Sequence, residues 1–164
     1  VIAASKKVTR ANLDFIDLSD QSLRTFPIEK HDGLALSALA TRARPMAYVI
    51  LPEAAHILEN LRILDVAVEP IPGGTYSVER YVMAENRLKA GFFEGFQERI
   101  VSATTETVSM ELPAGSWWVS ADQERFNLAI ECLEPEALCG LIRYRVLEIE
   151  RTIPILRVLK PISK

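Results

Sequence analysis

The sequence predicts an α+β fold: a mostly antiparallel β-sheet with at least two inserted helices. Three observations lead there. Apolar segments with strand-like alternation, rich in Val, Ile, Thr and aromatic residues, outnumber helical ones. Turn sequences at Pro72-Gly73-Gly74 and Pro113-Ala114-Gly115 divide them. Two segments carry apolar residues at helical spacing, one after Pro52 and one after Ser120. The 164 residues, 49% hydrophobic and 25% charged, suffice for one ordinary domain with a core. We divide them into an N-terminal arm or linker with one strand, residues 1–41, and an α+β domain, residues 42–164.

Val8 to Leu18 reads as the first strand, closed by the polar break Ser19-Asp20-Gln21-Ser22. Leu23 to Arg44, interrupted by Pro27 and His31-Asp32-Gly33, reads as extended arms with short strands. Ala47 to Ile50 is a short apolar strand leading into a helix whose first turn holds Pro52, where a missing N–H costs nothing. Ala54, Leu58, Leu61 and Leu64 form that helix's apolar face, and Asp65 ends it. Val66 to Ile71 is a strand. Tyr76, Val78 and Val82 alternate with polar residues in the next, and Ala84 to Ala90 reads as a loop or helical turn.

Phe92 to Leu112 reads as a long strand or hairpin, and Trp117-Trp118-Val119 as its return strand. Ser120 and Gln123 form a capping-box signal for a helix with Phe126, Ile130 and Leu133 on one face, closed by Pro135. Leu138 to Glu148 fits helix or strand. Ile153 to Leu159 is the last strand, placed at an edge by Pro154.

A net charge of -3 and a pI near 5.5 argue against nucleic acid as a partner. No apolar run reaches the roughly 18 residues of a membrane span. Two cysteines, Cys132 and Cys139, are too few for a disulfide framework and read as buried thiols. The chain opens without Met or an apolar signal core, as a processed or excised piece would.

The residues for catalysis are scarce. His56 and Glu59 have the His-x-x-Glu spacing of a zinc pair, but on a helix face, with no later histidine to complete three ligands. His31 beside Asp32 reads as part of a turn. Cys132 lies on the core side of a helix without a positioned base. Pro72-Gly73-Gly74 lacks the Lys-Ser/Thr of a phosphate loop. Arg42 and Arg44, like Arg143 and Arg145, read as salt-bridged or solvated surface. We therefore assign no catalytic, cofactor-binding or metal-binding residue. Trp117 and Trp118, on opposite faces of one strand, are a candidate interaction surface on which a sugar or partner could stack.

Arg42 to Ile50 with its following proline and helix, Leu61 to Glu69, Glu94-Gly95-Phe96, Leu112 to Val119, Asp122-Gln123 and Leu133 to Ala137 form a series of short motifs. In order and rough spacing they resemble the C-terminal portion of bacterial zinc-carboxypeptidase-like proteins of the pancreatic metallocarboxypeptidase type. The resemblance covers Arg42 to Leu159; residues Val1 to Thr41 match nothing in it. It implies a non-catalytic accessory domain whose partner is a catalytic domain of the same polypeptide. That domain would hold zinc and hydrolyse C-terminal peptide bonds, in a periplasmic or secreted setting. The alternatives are a glycan- or peptide-binding module using an exposed tryptophan, and an independent enzyme relying on acidic residues.

Overall fold

The computed structural model describes residues 2–92 and 94–160. Val1, Phe93 and residues 161–164 lie outside it, and so do the parts of the expected Phe92–Leu112 strand and of the 42–164 domain that fall on them. Two compact units result: Ala3–Thr41, and the residues from Arg42 onward together with Ile2.

The first unit is a ribbon of two antiparallel strands, β1 (Ala3–Ile16) and β2 (Leu23–Ala40). The tip between them is closed by Asp17, whose carboxylate accepts hydrogen bonds from the Ser19 N–H at 2.9 Å and hydroxyl at 2.6 Å. Pro27 and His31-Asp32-Gly33 do not break β2. A two-stranded ribbon has an outer edge on each strand, where a proline costs no ladder bond. The residues after Asp32 are absorbed where the register shifts between Lys6 and Lys7. There the Asp32 carboxylate accepts from the N–H groups of Leu34 and Ala35, at 3.0 and 3.3 Å.

The second unit is a six-stranded antiparallel sheet in the order β4-β7-β3-β8-β5-β6. Its strands are β3 (Ala47–Ile50), β4 (Glu69–Ile71), β5 (Gly74–Leu88), β6 (Arg99–Leu112), β7 (Ser116–Ser120) and β8 (Ile155–Val158). Among the described residues helix is confined to a 3-10 segment, Pro52–Ile57, and to α1 (Leu58–Ile63) and α2 (Phe126–Leu133). The α+β expectation is therefore corrected: the fold is β-rich, with two short helices. Asp65, in the left-handed region at φ 58°, stops α1 after six residues. The α2 helix starts only at Phe126: the Ser120 hydroxyl accepts from the Asp122 N–H at 3.1 Å, and the Gln123 side chain donates to the Ser120 carbonyl at 2.8 Å rather than closing a capping box. Gln123 clamps the Ala67 backbone, accepting from its N–H at 2.8 Å and donating to its carbonyl at 3.2 Å. Residues 138–148 form turns rather than helix or strand.

Other expectations shift as well. Ala84–Leu88 continues β5 through a bulge between Met83 and Glu85. β6 begins at Arg99 rather than at Phe92, and β7 returns to pair with β3 and β4, not with β6. Pro154 precedes β8 and does not place it at an edge: β8 lies between β3 and β5. The Pro154 carbonyl accepts from the Leu51 N–H at 3.0 Å.

The core lies on both faces of β3 and β8. Tyr48, Ile50 and Ile155 pack with the helices on one face, joined by Tyr81 and Val101 of the long β5–β6 hairpin. Ala47, Val49, Leu156 and Val158 pack on the other with Val78 and Leu112. Strands buried on both sides read as continuous apolar runs, which is how β3 appears in the sequence.

The turn entering β5 approaches the turn before β7 closely. A Cβ on Gly73 would stand 3.0 Å from the Ala114 nitrogen and 3.2 Å from the Leu112 carbonyl oxygen, both backbone atoms. We expect Gly73→Ala to cost about 1–3 kcal/mol as an overpacked contact, read as a lower urea midpoint. Gly33→Ala, where a Cβ meets nothing within 4 Å, should leave the midpoint in place.

Candidate functional site

The polar centre of the second unit is a buried cluster of charges that the sequence scatters from residue 42 to residue 157. It starts from a row across the sheet. Tyr48 on β3 is the register partner of Arg157 on β8, which is the partner of Glu79 on β5. Register partners share a face, so the three side chains stand side by side. Arg157 is 1% exposed. Its Nη1 donates to Glu79 Oε2 at 2.5 Å, its Nη2 to the Ala43 carbonyl, and its Nε lies 3.0 Å from Glu134 Oε1.

Glu134 enters at the C-terminal end of α2 and is itself 2% exposed. It accepts from the Tyr48 hydroxyl at 2.7 Å and from Arg42 Nη1 at 3.1 Å. Arg42 also grips Glu136 with both terminal nitrogens, at 2.6 and 2.7 Å. This fork-to-fork geometry is the strong form of the pair. Glu136 and Arg42 then converge on Ala103 of β6: its N–H donates to Glu136 at 2.8 Å and its carbonyl accepts from Arg42 Nη2. β6 is the last strand of the sheet, so the pair covers part of an otherwise open edge.

Three carboxylates (Glu79, Glu134, Glu136) and two guanidiniums (Arg42, Arg157) thus interlock α2, the segment before β3, and strands β3, β5, β6 and β8. Burial would depress the Arg42 pKa, but the hydrogen bonds and charge of Glu136, with Glu134, outweigh it and hold it above the ordinary arginine value. Burial raises the Tyr48 pKa, and the charge and hydrogen bond of Glu134 add to the rise. Tyr81, beneath the Arg42 guanidinium at 5.5 Å, is shifted the same way by burial and by Glu134. Its hydroxyl is buried without a hydrogen-bond partner among the described residues. With each carboxylate held by a guanidinium, the arrangement acts as a clasp between elements.

A smaller set of ion pairs holds the turns 141–148. Glu98, 5% exposed, accepts from Lys89 at 2.6 Å and from Arg143 at 2.7 Å, which keep its carboxyl below the usual glutamate range. Arg99 reaches Glu148 at 2.6 Å, and Arg145 meets the same carboxylate at 2.8 Å.

The residues singled out from the sequence do not converge. His56 lies in the 3-10 segment with Nε2 3.2 Å from the Val146 carbonyl, and Glu59 lies on α1. Among the described residues, no group of three or more His, Cys, Asp and Glu is placed to hold a metal ion. His31 stands opposite Val8 in the ribbon. Cys132 is buried on α2, whereas Cys139 is exposed, and both are free thiols. Trp117 packs toward the helices with the Arg62 guanidinium 5.4 Å over its ring, and Trp118 packs on the opposite face; both are partly buried. Arg44 is bound to Asn127 at 2.7 Å. Arg42 is the residue most misread from sequence: it belongs to the buried clasp, not to the surface.

The chain is similar to fungal proteins called carboxypeptidase 2. It is 29% identical to that of Trichophyton equinum over 91% of this chain and 28% of the relative. With that of Trichophyton tonsurans it shares 29% identity over 96% of this chain and 30% of the relative. A probable carboxypeptidase 2 of Trichophyton verrucosum is 31% identical over 84% of this chain and 27% of its own length. The chain therefore spans under a third of the relatives it matches. A match over 96% of the chain must take in most of residues 1–41, so the likeness reaches well beyond Arg42–Leu159. These relatives are fungal, whereas the motifs suggested bacterial ones. No family model and no solved structure matches. Among the described residues no helix is long and apolar enough to cross a membrane.

We expect Arg157→Met to destabilise the second unit by about 3–5 kcal/mol, because it leaves Glu79 without its ion-pair partner and the buried Glu134 with Arg42 alone; denaturant unfolding checks this. Alkali tests the tyrosines. Their pKa values are raised in the folded state, so the stability they confer is complete below the ordinary value of 10.0 and falls as pH rises above it. Phenolate absorbance near 295 nm (an assay wavelength) should show Tyr48 and Tyr81 ionising only together with loss of the far-UV circular dichroism.

Proposed function

We propose that this chain is a non-catalytic accessory region of a carboxypeptidase-like polypeptide, lying C-terminal to the part that performs the reaction. The observation that carries the proposal is the match in coverage: almost all of this chain corresponds to less than a third of each carboxypeptidase 2. The clasp supports it, since the most buried ionisable groups of the second unit are spent on joining structural elements. Glu134, for instance, is bound at once by Tyr48, Arg42 and Arg157.

In this reading the reaction is hydrolysis of a C-terminal peptide bond, carried out elsewhere in the polypeptide by a zinc centre that polarises the carbonyl and activates water. The setting is secreted or periplasmic. What this region supplies is a β-rich, non-catalytic part beside the catalytic one. The test is an assay of C-terminal amino-acid release with added zinc, run on this chain and on the product of the full reading frame. We expect no turnover from the 164 residues and chelator-sensitive turnover from the longer polypeptide. Turnover at comparable rates by the 164-residue chain alone would sink the accessory reading.

A further inference from the structure

The ribbon β1–β2 poses a question the clasp does not. Fourteen residues of β1 extend about 45 Å at the usual strand rise, and among its described residues the unit has no regular element beyond the two strands. An isolated two-stranded ribbon is marginal in water.

Its two faces differ along the middle of the ribbon, residues 10–14 with 25–29. Register partners on one face are Arg10 with Glu29, Asn12 with Pro27 and Asp14 with Thr25, the last joined by a hydrogen bond of 2.6 Å. Further along that face Ile16 lies opposite Leu23, both apolar and 65% and 68% exposed. On the other face Ala11 lies opposite Ile28 and Leu13 opposite Phe26, and Phe15 meets Phe26 edge-on at 5.9 Å, with Thr9–Lys30 before this run and Arg24 opposite Phe15 bounding it. Those five side chains form one continuous apolar stripe. Leu13 is 45%, Phe26 48% and Phe15 49% exposed, so about half of each large side chain is open to water. A contiguous exposed apolar face on a strand pair is the mark of an interface.

The relatives say what kind of occupant to expect. Since the match to the carboxypeptidase 2 of Trichophyton tonsurans takes in 96% of this chain, most of the ribbon belongs to the shared region. That relative carries more than twice as much chain again outside the matched part, which is 30% of its length. We infer that the apolar stripe Ala11–Leu13–Phe15 with Phe26 and Ile28 docks against the catalytic part of the same polypeptide. The inference rests on the accessory reading above and names the surface through which it operates. The occupant must offer an apolar, strand-sized groove. It excludes water from Leu13, Phe15 and Phe26 and supplies the second layer that a two-stranded ribbon lacks.

The test uses the product of the full reading frame beside the 164-residue chain. Hydrogen exchange should slow at least tenfold for the amides of residues 11–16 and 24–28 in the longer polypeptide. A photoreactive residue replacing Leu13 should cross-link within the polypeptide to residues outside these 164, and the same probe replacing Asp14, on the polar face, should not. Phe26→Glu should abolish the slowing while leaving exchange in the six-stranded sheet unchanged. Equal exchange in the two proteins, or cross-links from both faces alike, would overturn the inference. So would self-association of the 164-residue chain that is lost in Phe26→Glu, because the occupant would then be a second copy. Carboxypeptidase activity of the same preparation separates the two readings: activity with an unprotected ribbon removes the docking and keeps the accessory role. Protection without activity does the reverse. A reading frame with no further folded part overturns both.

Discussion

Arg157 sits on a four-residue strand with almost none of its surface in water, so its charge has to be answered from several directions at once. Glu79 answers from the neighbouring strand, Glu134 from the end of α2 and the Ala43 carbonyl from the segment before β3. A buried ion pair is weak evidence of net stabilisation, because desolvation offsets most of the attraction. Its stronger effect is on register. β8 pairs with β5 through only Glu79–Arg157 and Arg80–Leu156, too short a contact to be held by backbone alone. A slip of one residue would turn Arg157 into the apolar cluster of Val49 and Val158, and Leu156 onto the carboxylates. The clasp forbids that slip, and the sheet order around β8 depends on it.

The same clasp was the least legible part of the sequence. Its members lie at positions 42, 48, 79, 134, 136 and 157, and no spacing rule connects them. Two local signals were present. Arg157 interrupts Ile155-Leu156-Arg157-Val158, where a charged residue in a buried strand needs a partner. Glu134 and Glu136 bracket a proline at the end of an amphipathic helix, which aims two carboxylates inward from one turn. Read together they pair, but only the fold supplies the distance. Signals confined to neighbours were readable: β3, the approach of Pro52 to its helical turn, the turns at Gly73 and Gly115, and the opposed faces of Trp117 and Trp118.

The fold class failed for a related reason. Helical periodicity was present after Pro52 and after Ser120, but periodicity does not set length. The first segment divides into a 3-10 turn and six α-helical residues, and the second loses its opening turn to the Gln123–Ala67 clamp. In the ribbon the error ran the other way. Pro27 and Asp32-Gly33 are breakers in a central strand, yet they are tolerated in β2, which has only one neighbour. Breaker residues report on the number of neighbours as much as on the strand itself, and a single sequence does not reveal that number.

The two units also solve burial in opposite ways. In the six-stranded sheet both faces of β3 and β8 are closed, and the charges of Arg42, Glu79, Glu134, Glu136 and Arg157 are paired with one another. Along its middle the ribbon keeps Arg10, Glu29, Asp14 and Thr25 on one face and collects Leu13, Phe15, Phe26 and Ile28 on the other, while Ile16 and Leu23 lie on the first face and Arg24 and Lys30 on the second. Because side chains alternate strictly along a strand, this segregation follows from the pairing of Ala11 with Ile28 and would be lost by a one-residue shift of either strand. A ribbon surrounded by water on both sides gains nothing from sorting its side chains. One that lies against a surface gains on the apolar side alone, and residues 10–15 with 25–29 are sorted in that way.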